Sequence, residues 1–212
     1  MKKSSLQLAV VGTMQTNCYL LTNTETKETL IVDPGADGDR IAAYLLREEM
    51  RPMGILLTHG HFDHISGVKA IQDAFRLSVY AAAAEEALLA EPGWNLSAKF
   101  QGYGVSLIPD VLLEDGEEFS LAGFQIKAIL TPGHTGGGMS FYLPEEGIVF
   151  SGDTLFRHTY GRTDLPTSSF SELKHSLREK LFKLPEETEV LPGHGSATTI
   201  KEERRRNPIL LD

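Results

Sequence analysis

After Thr58 the chain reads His59-Gly60-His61-Phe62-Asp63-His64, three imidazoles and a carboxylate within six residues. Alternate side chains of an extended segment point the same way, so His59 and His61 can chelate one ion. The turn that follows redirects Asp63 and His64 towards a neighbouring position. Neutral imidazole and carboxylate suit borderline divalent cations, zinc first, with iron and manganese also accommodated. A cluster of solvated or core histidines would explain a lone His, but here the local pattern recurs three more times. An apolar run ends, a small residue or Pro-Gly follows, and a metal-competent side chain comes next: IKAILTPGH (126–134), GIVFSGD (147–153) and EVLPGH (189–194). The candidate ligands are therefore His59, His61, Asp63, His64, His134, Asp153 and His194. Asp153 and each Pro-Gly-His would pass for ordinary turn residues if taken alone. Their shared place at strand ends marks them. His158 and His175 lie outside the four loops.

The rest of the chain frames that cluster. Its 212 residues are 41% hydrophobic, enough for a sizeable core, and no Pro/Gly/Ser linker divides them, so a single domain over 1–212 is expected. The net charge of −9 argues against a general binder of the phosphate backbone, so no nucleic-acid partner is expected. No window approaches the ~18 apolar residues of a membrane span. The basic start MKK leads into an apolar run soon interrupted by Gly12, Thr13 and Gln15, which reads as a strand pair and not a secretory signal. One cysteine, Cys18, fits a reducing compartment. The expectation is a soluble cytoplasmic protein with no membrane partner.

Strands are expected at Leu6–Val11, Cys18–Thr22, Thr29–Val32, Met53–Thr58, Leu77–Tyr80, Val105–Ile108, Glu117–Leu121, Phe124–Leu130, Met139–Leu143, Ile148–Ser151 and Glu189–Leu191. Helices are expected over Asp39–Met50 with Asp37 or Asp39 as cap, His64–Phe75, Ala81–Ala90, a segment behind the capping box Ser169-x-x-Glu172, and Thr199–Arg206. The helix after Ser169 should bury Phe170, Leu173, Leu177, Leu181 and Leu184. Glu91–Gly104 has no period; it is either a substrate lid carrying Trp94, Phe100 and Tyr103 or a plain connector. Strands in blocks with helices between them suggest two sheets face to face with helices outside.

The combination Thr58-His59-x-His61-x-Asp63-His64, Thr131-Pro132-Gly133-His134-Thr135, Ser151-Gly152-Asp153-Thr154-Leu155-Phe156 and Pro192-Gly193-His194-Gly195 resembles the metallo-β-lactamase superfamily. Within it the chain resembles the glyoxalase II-like hydrolases, a likeness that extends through Gly161-Arg162-Thr163-Asp164 and Asn207-Pro208. The resemblance implies an α/β fold, a four-layer αββα sandwich, with a dinuclear site at one sheet edge. It implies that His59, His61 and His134 bind one metal, that Asp63, His64 and His194 bind the second, and that Asp153 bridges them. It further implies two divalent ions, Zn2+ first with iron or manganese possible, and a metal-bridging hydroxide that Asp63, the expected catalytic residue, orients. The expected activity is that of a hydroxyacylglutathione hydrolase-like thioesterase acting on S-lactoylglutathione or a related small acyl-thioester. A thiolate with a free pKa of ~8.5 leaves without a strong general acid, and none is evident. Full-length glyoxalase II enzymes carry a longer helical C-terminal domain; the chain resembles the short, single-domain members. The alternative is a persulfide dioxygenase-like protein with one iron held by two His and one Asp, a class that usually lacks a histidine where this chain has His194. A β-lactamase reading ranks lower because no secretion signal is expected, and a non-catalytic metal protein is disfavoured by the intact ligand set.

Overall fold

The computed structural model describes residues 4–211. Lys2 and Lys3, part of the basic start weighed above, lie outside them. The first sheet takes β1 (Ser4–Val11), β2 (Thr16–Asn23), β3 (Glu28–Val32), β4 (Arg51–Leu56), β5 (Val79–Ala82) and β6 (Val111–Leu113) in that order. Its first two pairings are antiparallel and its last three parallel. Between these strands run α1 (Gly38–Arg47), α2 (Phe62–Ile65), α3 (Val68–Phe75), α4 (Glu86–Ala90) and α5 (Ser97–Phe100). The second sheet is built from β7 (Glu118–Leu121), β8 (Phe124–Leu130), β9 (Met139–Leu143) and β10 (Ile148–Gly152), then, past a small hairpin of β11 (Leu155–Phe156) and β12 (Thr159–Tyr160), β13 (Glu189–Pro192) and β14 (Thr198–Thr199). The sheet order is β14-β13-β10-β9-β8-β7. Helix α6 (Phe170–His175) precedes β13 and α7 (Ile200–Arg206) follows β14.

Alternation along the strands makes the layers. Tyr19, Leu21, Leu30 and Leu56 of the first sheet meet Phe124, Ile126, Phe141 and Phe150 of the second, all buried. The intervening residues Cys18, Leu20, Ile31 and Ile55 face outwards onto Ile41 and Leu45 of α1 and Val68 and Ile71 of α3. On the far side Val149 and Val190 meet Leu173, Leu177, Leu181 and Ile200. This is the expected αββα sandwich, each sheet burying one face on the other and one on helices. Cys18, fully buried among apolar residues, has its thiol pKa pushed far up by burial. No helix among the described residues is long and apolar enough to cross a membrane.

Several local expectations need correction. Val105–Ile108 forms no strand; β6 lies just beyond it at Val111–Leu113, paired with β5. Ala81 and Ala82 close β5, and helix begins only after them, because the parallel pairing outweighs the propensity of an alanine run. The segment His64–Phe75 is broken between Ile65 and Val68. Asp37 stands at the N-cap of α1 but makes no cap bond; its carboxylate accepts from Gly12 N–H instead. Ser169 does cap α6, accepting from Glu172 N–H. Of the residues expected to be buried behind it, Leu173, Leu177 and Leu181 are, whereas Phe170 is exposed and Leu184 half-buried.

Candidate metal centre

Strand direction brings the four loops together. β8 and β10 each run antiparallel to β9 and so parallel to one another, and β10 runs parallel to β13. The loops after β8, β10 and β13 therefore leave the second sheet at one edge, with His134, Asp153 and His194. The loop after β4 in the first sheet meets them there, where Met139 N–H donates to Thr58 O and Asn17 N–H to Gly193 O.

All seven candidate ligands converge. His59, His61 and His134 form one group and Asp63, His64 and His194 another, each with its ligand atoms within 4.8 Å of one another; His59, His64 and Asp153 satisfy the same criterion. Asp153 Oδ1 lies 3.5 Å from His64 Nε2, and its Oδ2 lies 3.5 Å from His134 Nε2 and 3.6 Å from His194 Nε2. It thus touches both groups. His59 Nε2, His61 Nε2, His64 Nε2 and Asp153 Oδ1 are buried without a hydrogen-bond partner among the described residues. Buried polar atoms are nearly always paired, so the orphaned His59 Nε2, His64 Nε2 and Asp153 Oδ1, whose side chains form one group, are a donor set shaped for a cation; His61 presents its Nδ1 to the cluster, 3.0 Å from His134 Nε2.

The ring orientations have visible causes. Asp33 Oδ2 accepts the Thr58 hydroxyl at 2.6 Å, and the Thr58 oxygen lies 3.2 Å from His59 Nδ1, so that nitrogen carries the proton and Nε2 faces the centre. His64 Nδ1 donates to Asp33 Oδ2 at 3.0 Å, which leaves its Nε2 for the centre, and His134 Nδ1 donates to the main-chain oxygen of Arg162 at 2.9 Å, which turns its Nε2 towards His61 Nδ1, 3.0 Å away. Electrostatics divides the site. Burial, reinforced by the neighbouring imidazoles, holds His59 well below its ordinary pKa and takes His61 down to about 3. These rings are neutral, the form in which an imidazole can accept a cation. Burial also acts to lower His64, but the carboxylates of Asp63, Asp153 and Asp33 outweigh it and raise the ring to about 10. Burial acts to raise Asp63, but His64, His194 and the Thr16 hydroxyl outweigh it and hold the carboxyl far below the usual range. The Asp63/His64/His194 end is thus an acidic pocket that favours positive charge.

A profile of the metallo-beta-lactamase superfamily matches residues 11–194. The chain belongs to the metallo-beta-lactamase superfamily. It is 38% identical over 201 residues to the probable metallo-hydrolase YqgX of Bacillus subtilis, covering 94% of both chains. It is 32% identical over 211 residues to the hydroxyacylglutathione hydrolase GloC of Haemophilus influenzae, covering 97% of this chain and 98% of that one. Among solved structures it is similar to the BLEG-1 B3 metallo-beta-lactamase, with a TM-score of 0.93, 38% identity, and 98% and 100% of the two chains covered. TTHA1623 in a di-iron-bound form gives a TM-score of 0.84 at 37% identity over 95% and 98% of the chains. ETHE1 from Myxococcus xanthus gives 0.79 at 28% identity over 96% and 83%. The His/Asp cluster fits the two-metal site of this superfamily.

The sequence reading missed the residues that brace the ligands. Asp33, buried at the end of β3, accepts from Thr58 N–H, Thr58 Oγ1 and His64 Nδ1. Its signal was present, since Asp33-Pro34-Gly35 is a fifth strand-end loop of the kind that carries the ligands. Thr16 Oγ1 donates to Asp63 Oδ2 at 3.0 Å, and Asn17 Nδ2 donates to Pro192 O and Gly195 O on either side of His194. Neither has a signal in the sequence.

The segment 91–104 is more ordered than its composition suggests. It contains α5, and Phe100 stacks on Phe62 of the histidine hexapeptide at 5.4 Å. Phe62 N–H donates to Asn95 O, while the buried Asn95 side chain donates to Leu89 O and Val105 O and accepts from Ser97 N–H. Replacing Asn95 by Ala strands those partners, and a loss of about 2 kcal/mol in denaturant unfolding is expected. A change within a few tenths of a kcal/mol would show that the segment is not held by this residue.

Proposed function

We propose that the chain is a cytoplasmic, single-domain dinuclear zinc hydrolase of the glyoxalase II-like type, cleaving S-lactoylglutathione or a related small acyl-thioester. The observation that carries this reading is the second ligand group. Asp63, His64 and His194 stand together beside a complete three-imidazole group, and Asp153 reaches both. A mononuclear iron oxidoreductase needs only two His and one Asp and has no use for His194. The similarity to GloC supports the thioesterase reading, and that to TTHA1623 makes iron the competitor for zinc.

In this reading His59, His61 and His134 hold one ion, Asp63, His64 and His194 the other, and Asp153 serves both. The bound ions supply Lewis acidity and bring the pKa of water from 15.7 towards ~7. The chain's own contribution is orientation. Thr16 donates to one oxygen of Asp63, whose ionised carboxylate then has acceptor capacity left to align an attacking water. Phe156, 6.3 Å from the His194 ring, supplies an apolar surface beside the site. Arg162 is not a free anion receptor, because its guanidinium is forked onto Asp164 at 2.6 and 2.7 Å.

The test pairs elemental analysis with three substrates. Two zinc ions per chain and thiol release from S-lactoylglutathione, without oxygen uptake, are expected. The likeness to ETHE1 makes a persulfide dioxygenase the second reading; oxygen consumption with glutathione persulfide, dependent on iron and without thioester cleavage, would establish it instead. A β-lactam is the third substrate because of BLEG-1, and turnover confined to it would overturn both readings.

A further inference from the structure

Glu85 belongs to neither ligand group, yet its carboxylate is buried, 1% exposed, at the end of the 3₁₀ turn Ala83–Glu85 that leads into α4. Backbone holds it. Gly60 N–H donates to Oε1 at 2.9 Å and Gly137 N–H to Oε2 at 2.8 Å. Gly60 stands between His59 and His61, and Gly137 closes the loop that begins with His134. One carboxylate therefore joins the two loops that carry all three imidazoles of the first group. The fit is close, since a Cβ on Gly137 would lie 2.3 Å from Glu85 N and 2.5 Å from Ala84 C. Burial pushes the Glu85 carboxyl above its ordinary pKa, and the Gly60 N–H, the Thr135 hydroxyl and the Gly137 N–H offset only part of that. A buried carboxyl kept at such a cost asks for a reason beyond packing.

We propose that Glu85 is a positioning residue for the metal centre, tying the 58–64 and 131–138 loops together so that His59, His61 and His134 are held at ligating separation. The proposal rests on the two-metal reading above. The carboxylate is specific to the task. A glutamine would present an amide N–H₂ to one of two N–H donors, and an aspartate is one methylene too short to span both. Partners that orient metal ligands are typically worth about 10- to 100-fold in metal affinity, which sets the scale of the effect.

The experiment compares the wild-type chain with Glu85→Gln and Glu85→Asp. Each is stripped with chelator, checked for folding by near-ultraviolet circular dichroism, titrated with Zn2+ against a chromophoric competitor, and loaded with Co2+ for its ligand-field spectrum. In folded Glu85→Gln, one of the two zinc affinities is expected to fall about 10- to 100-fold while the other holds, with shifted cobalt bands. Glu85→Asp should fall between this variant and wild type. Two affinities within twofold of wild type and an unchanged cobalt spectrum would overturn the proposal. So would a parallel loss of both ions that tracks lost folding, since that marks a structural role alone. Should Glu85→Gln not fold without metal, Glu85→Asp decides by the same criteria. A wild-type chain that takes up no second ion sinks the two-metal reading and the proposal with it, whereas failure confined to the variants leaves that reading standing.

Discussion

Replacing Asp63 by Asn is expected to lower kcat about 10²- to 10⁴-fold while the chain stays folded and keeps metal in its three-imidazole group. The carboxylate is small, largely buried and surrounded. Its Oδ2 accepts from Thr16 Oγ1 at 3.0 Å and lies 3.2 Å from His194 Nε2, and His64 Nε2 is 3.7 Å away. The amide is isosteric, so packing is preserved. What disappears is the negative charge, which His64 and His194 hold ionised against burial. On the two-metal reading proposed above, its loss takes a ligand from the second ion and an aligning acceptor from a water, whereas His59, His61 and His134 are not touched. Melting temperature, metal content and steady-state kinetics on one preparation separate these effects. Near-wild-type turnover in a fully loaded mutant would remove Asp63 from the mechanism.

Gly35→Ala is expected to destabilise the protein by about 3 kcal/mol or more, lowering Tm by about 6–12 °C, and to weaken metal binding. The constraint is space. A Cβ at position 35 would lie 1.4 Å from the main-chain oxygen of Asp63, 2.5 Å from its carbonyl carbon and 3.2 Å from His64 Cα. These are backbone atoms of the ligand segment itself and cannot rotate aside. Relief requires the strand-end loop of β3 or the hexapeptide to move, and Asp33, two residues away, is the acceptor for both Thr58 and His64. The damage should therefore reach both ligand groups through one methyl. Thermal unfolding with and without zinc, beside a chelator competition, measures the two parts. A melting temperature within 2 °C of wild type would show that this contact yields without cost.

The chemistry of this protein is written locally. His59 to His64 are adjacent in the chain, and His134, Asp153 and His194 each follow an apolar run and a small residue, so side-chain identity and period sufficed to pick out seven candidate ligands, which the fold gathers in one place. Two packed sheets were legible from strands that come in blocks with helices between them, and the αββα form from the family resemblance; β2, β3 and β10 are buried on both faces, so which of their residues meet the other sheet and which meet helices was not. Nor was pairing. Whether Ala81 and Ala82 join a strand or a helix depended on β6, which pairs with both, and the short stretch Val111–Leu113 became a strand because β5 offers it an edge. The braces are still less local. Asp33 reaches Thr58 and His64, Glu85 reaches Gly60 and Gly137, and Thr16 reaches Asp63, contacts 25 to 52 residues apart in the chain. A buried carboxylate or hydroxyl takes its role from whichever unpaired donor or acceptor the packed loops place within about 3 Å, and that distance exists only once two sheets have met. The sequence by itself determined which atoms can bind metal; the tertiary structure decided which way their rings face and what holds them apart.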